Sequence, residues 1–213
     1  MTPLRLPDPP PAGAELHDWV MRWLGELCAP AAPDAPATMT GPATPHRGGQ
    51  RAADAALQAY DVRGYARRRN NVWPPGTRGS SRLSPYIRHG LLTLREVWDH
   101  VGGGPPADVT KFRDELRWQE YARHLYARMG TASRRSLRFG VGERAADGVT
   151  PGPGNPWASS ALCLQSSWAE LVANGWLTNQ TRMWLASHWS VRAGLGWRDG
   201  EDLMYRHLLD GSR

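Results

Sequence analysis

Apolar residues in this chain recur every three or four positions and almost nowhere every second one, so the pattern predicts helices that each bury one face. Leu16, Trp19, Val20, Trp23, Leu24 and Leu27 form the first stripe, a short helix with one face to dock. Ala53, Ala56, Leu57 and Tyr60 form the next. Leu94, Val97, Trp98 and Val101 form another, opened by Thr93 and Glu96 as a capping box. Phe112, Leu116, Leu125 and Met129 lie along a helix of about five turns from roughly Asp108, closed by Gly130. Further helices are predicted at about 159–173, 178–193 and 199–209. No window of five or more residues alternates as a strand does, so the expected fold class is all-α.

Between these stripes the composition shifts. Residues 1–13 are proline-rich, and 28–50 read as a linker of Pro, Ala, Thr and Gly, which makes 1–50 an arm carrying one short helix and 51–213 the helical domain. Residues 131–156, rich in Gly, Pro and Arg, read as a long loop. A chain of 213 residues can bury a sizeable core. Its two cysteines, Cys28 and Cys163, supply neither a four-cysteine metal or iron–sulfur site nor a disulfide framework, so a reduced, cytoplasmic setting is the expectation. The start MTPLRLPDPPPAG has no apolar core of a signal peptide. The longest uncharged stretch, Gly148 to Ala169, is interrupted by Pro151, Pro153 and Pro156, so no membrane span is expected.

Charge narrows the partners. The net charge is +6, and Lys111 is the only lysine among the 26 basic residues. Arginine grips phosphate with a fixed fork and stacks on rings, so the excess suits a polyanion, although a genome that writes arginine for every basic residue would produce the same count. Eleven tryptophans against two phenylalanines is an unusual balance, and indoles serve packing, stacking on bases or flavins, and electron transfer.

Three clusters carry candidate chemistry. Gly79, Ser80, Ser81, Arg82 and Ser84 put hydroxyls and free N–H groups at a helix start, an anion seat that would suit a pyrophosphate or, more plainly, a serine-capped helix beside a surface arginine. Trp176, Asn179 and Arg182, spaced i, i+3, i+6, can offer a ring, an amide and a guanidinium to one ligand, or be a core tryptophan next to a solvated arginine. Phe112, Glu115 and Trp118 repeat that spacing, with a carboxylate held between two aromatic rings or else simply facing water.

Read in order, three segments resemble the C-terminal FAD-binding domain of the cryptochrome/photolyase family. They are GGQRAADAAL with YARRR and GSSRLSPYIRHG over residues 48–90, ELRWQEYARHLYARM over 115–129, and GWLTNQTRMWLASHW with WRDGED and LLDG over 175–211. The resemblance implies non-covalent FAD in a light-driven carbon–carbon lyase that splits pyrimidine dimers in DNA. It also implies that Ser80, Ser81, Arg82, Leu83 and Ser84 hold the FAD phosphates with Tyr65 close by. Asn179 and Arg182 would neighbour the flavin, Arg182 paired to Asp210, and Phe112, Gln119 and Trp176 complete the cofactor set. Glu115 would share a proton with a pyrimidine carbonyl, and Trp118 would stack on an extruded base. Arg69, Gln180 and Met183 would border the lesion. Trp197 matches the middle tryptophan of a photoreduction chain, with Trp157 as its outer member.

The departures set further expectations. Fewer than 50 residues precede the resemblance, so no antenna-pigment site is expected, and light reaches the flavin directly or through a partner chain. The chain stops at Asp210, Gly211, Ser212 and Arg213, before the family's asparagine beside flavin N5 and its innermost tryptophan. Gln119 stands where the family has an arginine. Two other readings follow: a non-repairing, cryptochrome-like blue-light receptor or flavin-binding module acting through a partner, and a helical remnant without flavin.

Overall fold

A computed structural model describes residues 10–11, 15, 18–19, 22, 46–135, 156–157 and 161–211. Two compact units emerge, Met1–Ala35 and Pro36–Arg213. In the first, Glu15, Asp18, Trp19 and Arg22 have helical backbone; the remaining positions of the first apolar stripe lie outside the described residues.

The second unit has eight α-helices among its described residues and no strand: α1 (Gln50–Ala59), α2 (Tyr65–Arg68), α3 (Ser84–Arg88), α4 (Leu94–His100), α5 (Pro106–Met129), α6 (Leu162–Asn174), α7 (Asn179–Ser187) and α8 (Trp197–His207). The all-α expectation is met. Thr93 closes the capping box, accepting from Glu96 N at 3.1 Å while Glu96 Oε2 accepts from Thr93 N at 2.7 Å. Gly130 ends α5 with φ 49°. That helix starts at Pro106 and runs 24 residues, longer than the spacing suggested, because Pro at the first helical positions costs no hydrogen bond. The helix expected over 178–193 stops at Ser187 and widens into a π turn, His188–Arg192. Of the expected loop over 131–156, residues 131–134 continue a 3₁₀ turn from Gly130, and most of the rest lies outside the described residues.

Apolar faces of α1 to α5 close one core around Ala53, Val62, Leu83, Val97, Phe112 and Leu116. A second core gathers Trp157, Leu164, Trp168, Leu171, Leu185 and Trp189 from α6, α7 and the π turn. Its indoles touch: Trp157 lies 5.0 Å from both Trp168 and Trp189, centroid to centroid. Trp157, expected as an outer tryptophan, is only 1 % exposed and donates to the Leu185 carbonyl at 2.8 Å.

The two cores are joined by polar staples. Arg78 forks onto the Glu170 carboxylate, its Nη2 3.0 Å from Oε2, with both side chains largely buried. Arg88 and His89 of the α3 end donate to the carbonyls of Gly211 and Leu209. At the end of the Pro/Ala-rich stretch His46 is buried, 6.1 Å from the Tyr86 ring and 6.2 Å from that of Trp176.

Candidate functional site

The segment from Gly79 to Ser84 leads into α3, which is five residues long and begins at Ser84 with Leu83 as its cap. Ser81 Oγ accepts from Leu83 N at 3.3 Å, and Ser84 Oγ accepts from Trp176 Nε1 at 3.1 Å. Arg82 takes a positive φ of 57°, an uncommon conformation for a non-glycine residue, and its carbonyl accepts from His46 Nε2 at 3.0 Å. The Arg82 guanidinium lies 5.2 Å from the centroid of the Trp176 ring. Ser80 Oγ is buried without a hydrogen-bond partner. Leu83, 1 % exposed, belongs to the core.

Trp176 lies in the turn before α7, not on its face, since the helix begins only at Asn179. Arg182 nevertheless meets Asp210, Nη2 to Oδ2 2.8 Å, and its Nε donates to the Leu177 carbonyl at 3.1 Å. The Asp210 side chain is 5 % exposed, and its second oxygen, Oδ1, has no partner. A buried carboxylate oxygen left unbonded is a costly acceptor that a ligand N–H or O–H would relieve. Beside this pair opens a cavity of about 380 Å³ walled by Trp157, Trp189, Trp197, Met204 and Tyr205. Burial holds the His46 imidazole below its usual pKa, with its hydrogen bond to the Arg82 carbonyl and the Asp210 charge opposing the shift and the Arg82 charge adding to it.

Phe112 is buried at 4 %, 4.8 Å edge-on from Tyr65 and 5.3 Å from Tyr60. Tyr65 is placed by Asp108, whose carboxylate accepts from Gly64 N and Ala66 N, both at 2.8 Å. Glu115 Oε1 lies between two cations, 3.6 Å from Arg69 Nε and 3.0 Å from Lys111 Nζ, because α2 brings Arg69 against α5. Trp118 is 64 % exposed, edge-on to Tyr121 at 5.7 Å, and Gln119 is half-buried one turn beyond Glu115. Gln180 donates to Asn70 Oδ1 at 2.7 Å, so α7 is tied to the residue next to Arg69, and its own Oε1 is buried and unbonded. Asn179 Nδ2 lies 3.7 Å from Met183 Sδ. Trp197 is half-buried at the cavity wall, with the Arg198 guanidinium 4.4 Å from its ring centroid.

Residues named from three separated segments thus fall into two groups. One is the serine segment with Trp176, Arg182 and Asp210; the other is Arg69 with Glu115 and Gln180. His46, Asn70, Asp108 and Lys111 went unnamed as site residues. A lone histidine in a Pro/Ala stretch and an asparagine at a helix end carry no periodic signal. Only Asp108, in a first helical turn, was marked by position. Among the described residues no helix is long and apolar enough to cross a membrane, and no cluster of metal-binding side chains occurs.

The all-α arrangement of these helices matches part of a solved photolyase. The crystal structure of a bacterial class III photolyase from Agrobacterium tumefaciens matches 77 % of the chain with a TM-score of 0.62 at 20 % identity, over 35 % of its own length. In sequence the chain is similar to deoxyribodipyrimidine photo-lyases. That of Thermus thermophilus is 29 % identical over 171 residues, covering 78 % of the chain and 40 % of that protein. The Alkalihalophilus pseudofirmus protein is 26 % identical over 145 residues (64 % and 29 %), and that of Escherichia coli 24 % over 170 (76 % and 36 %). No family model matches. The chain therefore spans about a third of the length of the curated relatives it matches. These likenesses bear out the resemblance read from the sequence and are consistent with a photolyase/cryptochrome C-terminal domain.

Proposed function

We propose that this chain binds FAD and serves light-driven repair of pyrimidine dimers in DNA. The observation that carries the reading is the buried Arg182–Asp210 pair, with one carboxylate oxygen unbonded beside a cavity walled by aromatic rings. About 380 Å³ suits one fused ring system, and the phosphates would then lie toward Ser80, whose buried hydroxyl lacks a partner, with Arg82 as their counter-charge. The residues present fit the group on these grounds. When bound and reduced, FAD supplies the electron that opens the cyclobutane ring and receives it back, so the chain itself performs no net redox.

What the chain contributes is position and charge. Arg182 and Asp210 orient the flavin edge, and Arg69 and Lys111 favour the negative charge that develops on the pyrimidine. Both cations contact Glu115 Oε1, so Oε2 is the oxygen that would share a proton with a pyrimidine carbonyl. Trp118, exposed on the same helix, offers its ring to an extruded base.

The test is spectroscopic first. The chain reconstituted with FAD should show the flavin absorption band, and Arg182→Ala should lose it. With chemically reduced flavin under blue light, wild type should clear dimers from an oligonucleotide, and Glu115→Gln should keep the band while lowering repair per absorbed photon. A chain that takes up no flavin overturns the whole reading. One that takes up flavin and repairs nothing leaves the receptor reading in its place.

A further inference from the structure

Trp73 is 79 % exposed, the most exposed of the large apolar side chains among the described residues, and neither core nor cavity uses it. An indole left in water on a braced loop keeps its large apolar face open to a partner. The loop carrying it is braced from several sides. Arg68 O accepts from both Asn71 N and Gly79 N at 3.0 Å, closing the loop at its base. Asn71 Nδ2 donates to Thr77 O at 3.1 Å, Thr77 Oγ1 to Pro74 O at 2.8 Å, and Arg78 Nε to Val72 O at 2.9 Å, while Arg78 is itself anchored on Glu170. Prolines 74 and 75 restrict the backbone directly after the indole. The ring is therefore presented on a preorganised support.

Its surroundings indicate what it meets. The base of the loop is the run Arg67, Arg68 and Arg69, of which Arg67 is exposed, and the adjoining Asn70 is tied to Gln180. Trp73 follows Arg69 by four residues, a chain reach of at most about 14 Å. A flat apolar ring beside a run of arginines complements a stacked base with its phosphates, and apolar wedges of this sort fill the gap left where a base step is unstacked.

We infer that Trp73 is a nucleic-acid contact that stacks on a base of duplex DNA flanking the position from which a base has been extruded, with Arg67 on the adjoining phosphate. The inference rests on the DNA-binding reading above and adds to it a second aromatic contact, separate from Trp118.

Binding of a labelled duplex carrying one thymine dimer, followed by fluorescence anisotropy at several salt concentrations, tests it. Trp73→Ala should weaken binding about tenfold with an unchanged salt slope, as one lost base stack requires. Trp73→Phe should stay within about threefold of wild type, and Arg67→Gln should lower the salt slope by about one. A 2-aminopurine placed beside the dimer should be quenched by wild type and not by Trp73→Ala, a signature that a merely structural loop residue would not produce. Trp73→Ala that binds as tightly as a DNA-binding wild type overturns this inference alone. A wild type with no affinity for the duplex overturns the DNA reading itself.

Discussion

Burial pushes the Tyr65 phenol up to about 12, with the nearby Glu115 carboxylate adding to the shift and Arg69 opposing it. The unfolded chain ionises the same group near 10, so the stability it contributes is complete below pH 10 and is lost as the pH rises from 10 to 12. The urea midpoint should therefore fall across that window, and Tyr65→Phe should flatten part of the fall. Tyr60, also raised by burial, accounts for a further part. Residue identities near this tyrosine were open to sequence reading, because Arg69, Glu115 and Trp118 sit in recognisable runs. Their pairings were not. Glu115 faces Arg69 only because Asp108 fixes the start of α2 against α5, an arrangement made across more than 40 residues.

At the scale of elements, local chemistry wrote the ends and tertiary packing wrote the interruptions. The Thr93–Glu96 box and the Gly130 stop involve neighbours within four residues, and both were readable. Gly175 ends α6 at φ 63°, and a Cβ placed there would come 2.8 Å from Leu209 Cγ. Left-handed backbone costs a non-glycine residue about 1–2 kcal/mol, and the clash adds to it. Gly175→Ala should accordingly lower the melting temperature by about 4–8 °C by calorimetry, a drop matching about 2 kcal/mol in a domain of this size. The π turn after α7 has no such local signature. Trp189 donates to Gly196 O at 2.7 Å and lies against Gly200, where a Cβ would sit 2.8 Å from its ring, so its position is set by α8 and not by its own helix.

Across the whole molecule, the two cores depend on polar links that close over long sequence separations. Arg78 is 5 % exposed, and Glu170, 92 residues away, is its counter-charge. Replacing one member of a buried pair leaves the other uncompensated, at a cost of about 3–5 kcal/mol. Glu170→Gln should thus lower the denaturation midpoint strongly, and hydrogen exchange should rise first in α6 and in the 70–79 loop; an unchanged midpoint would mean that water reaches Arg78. Helix type, most caps and the arginine-rich, tryptophan-rich character followed from the sequence by itself, since periodicity and capping depend on residues a few positions apart. The tertiary structure alone decided that His46 holds the Arg82 carbonyl, that Glu115 meets two cations, and that Trp157 is buried while Trp73 is held out. Each of those outcomes depends on which surfaces meet when the helices pack, and that is decided between distant segments, where spacing along the chain carries no information.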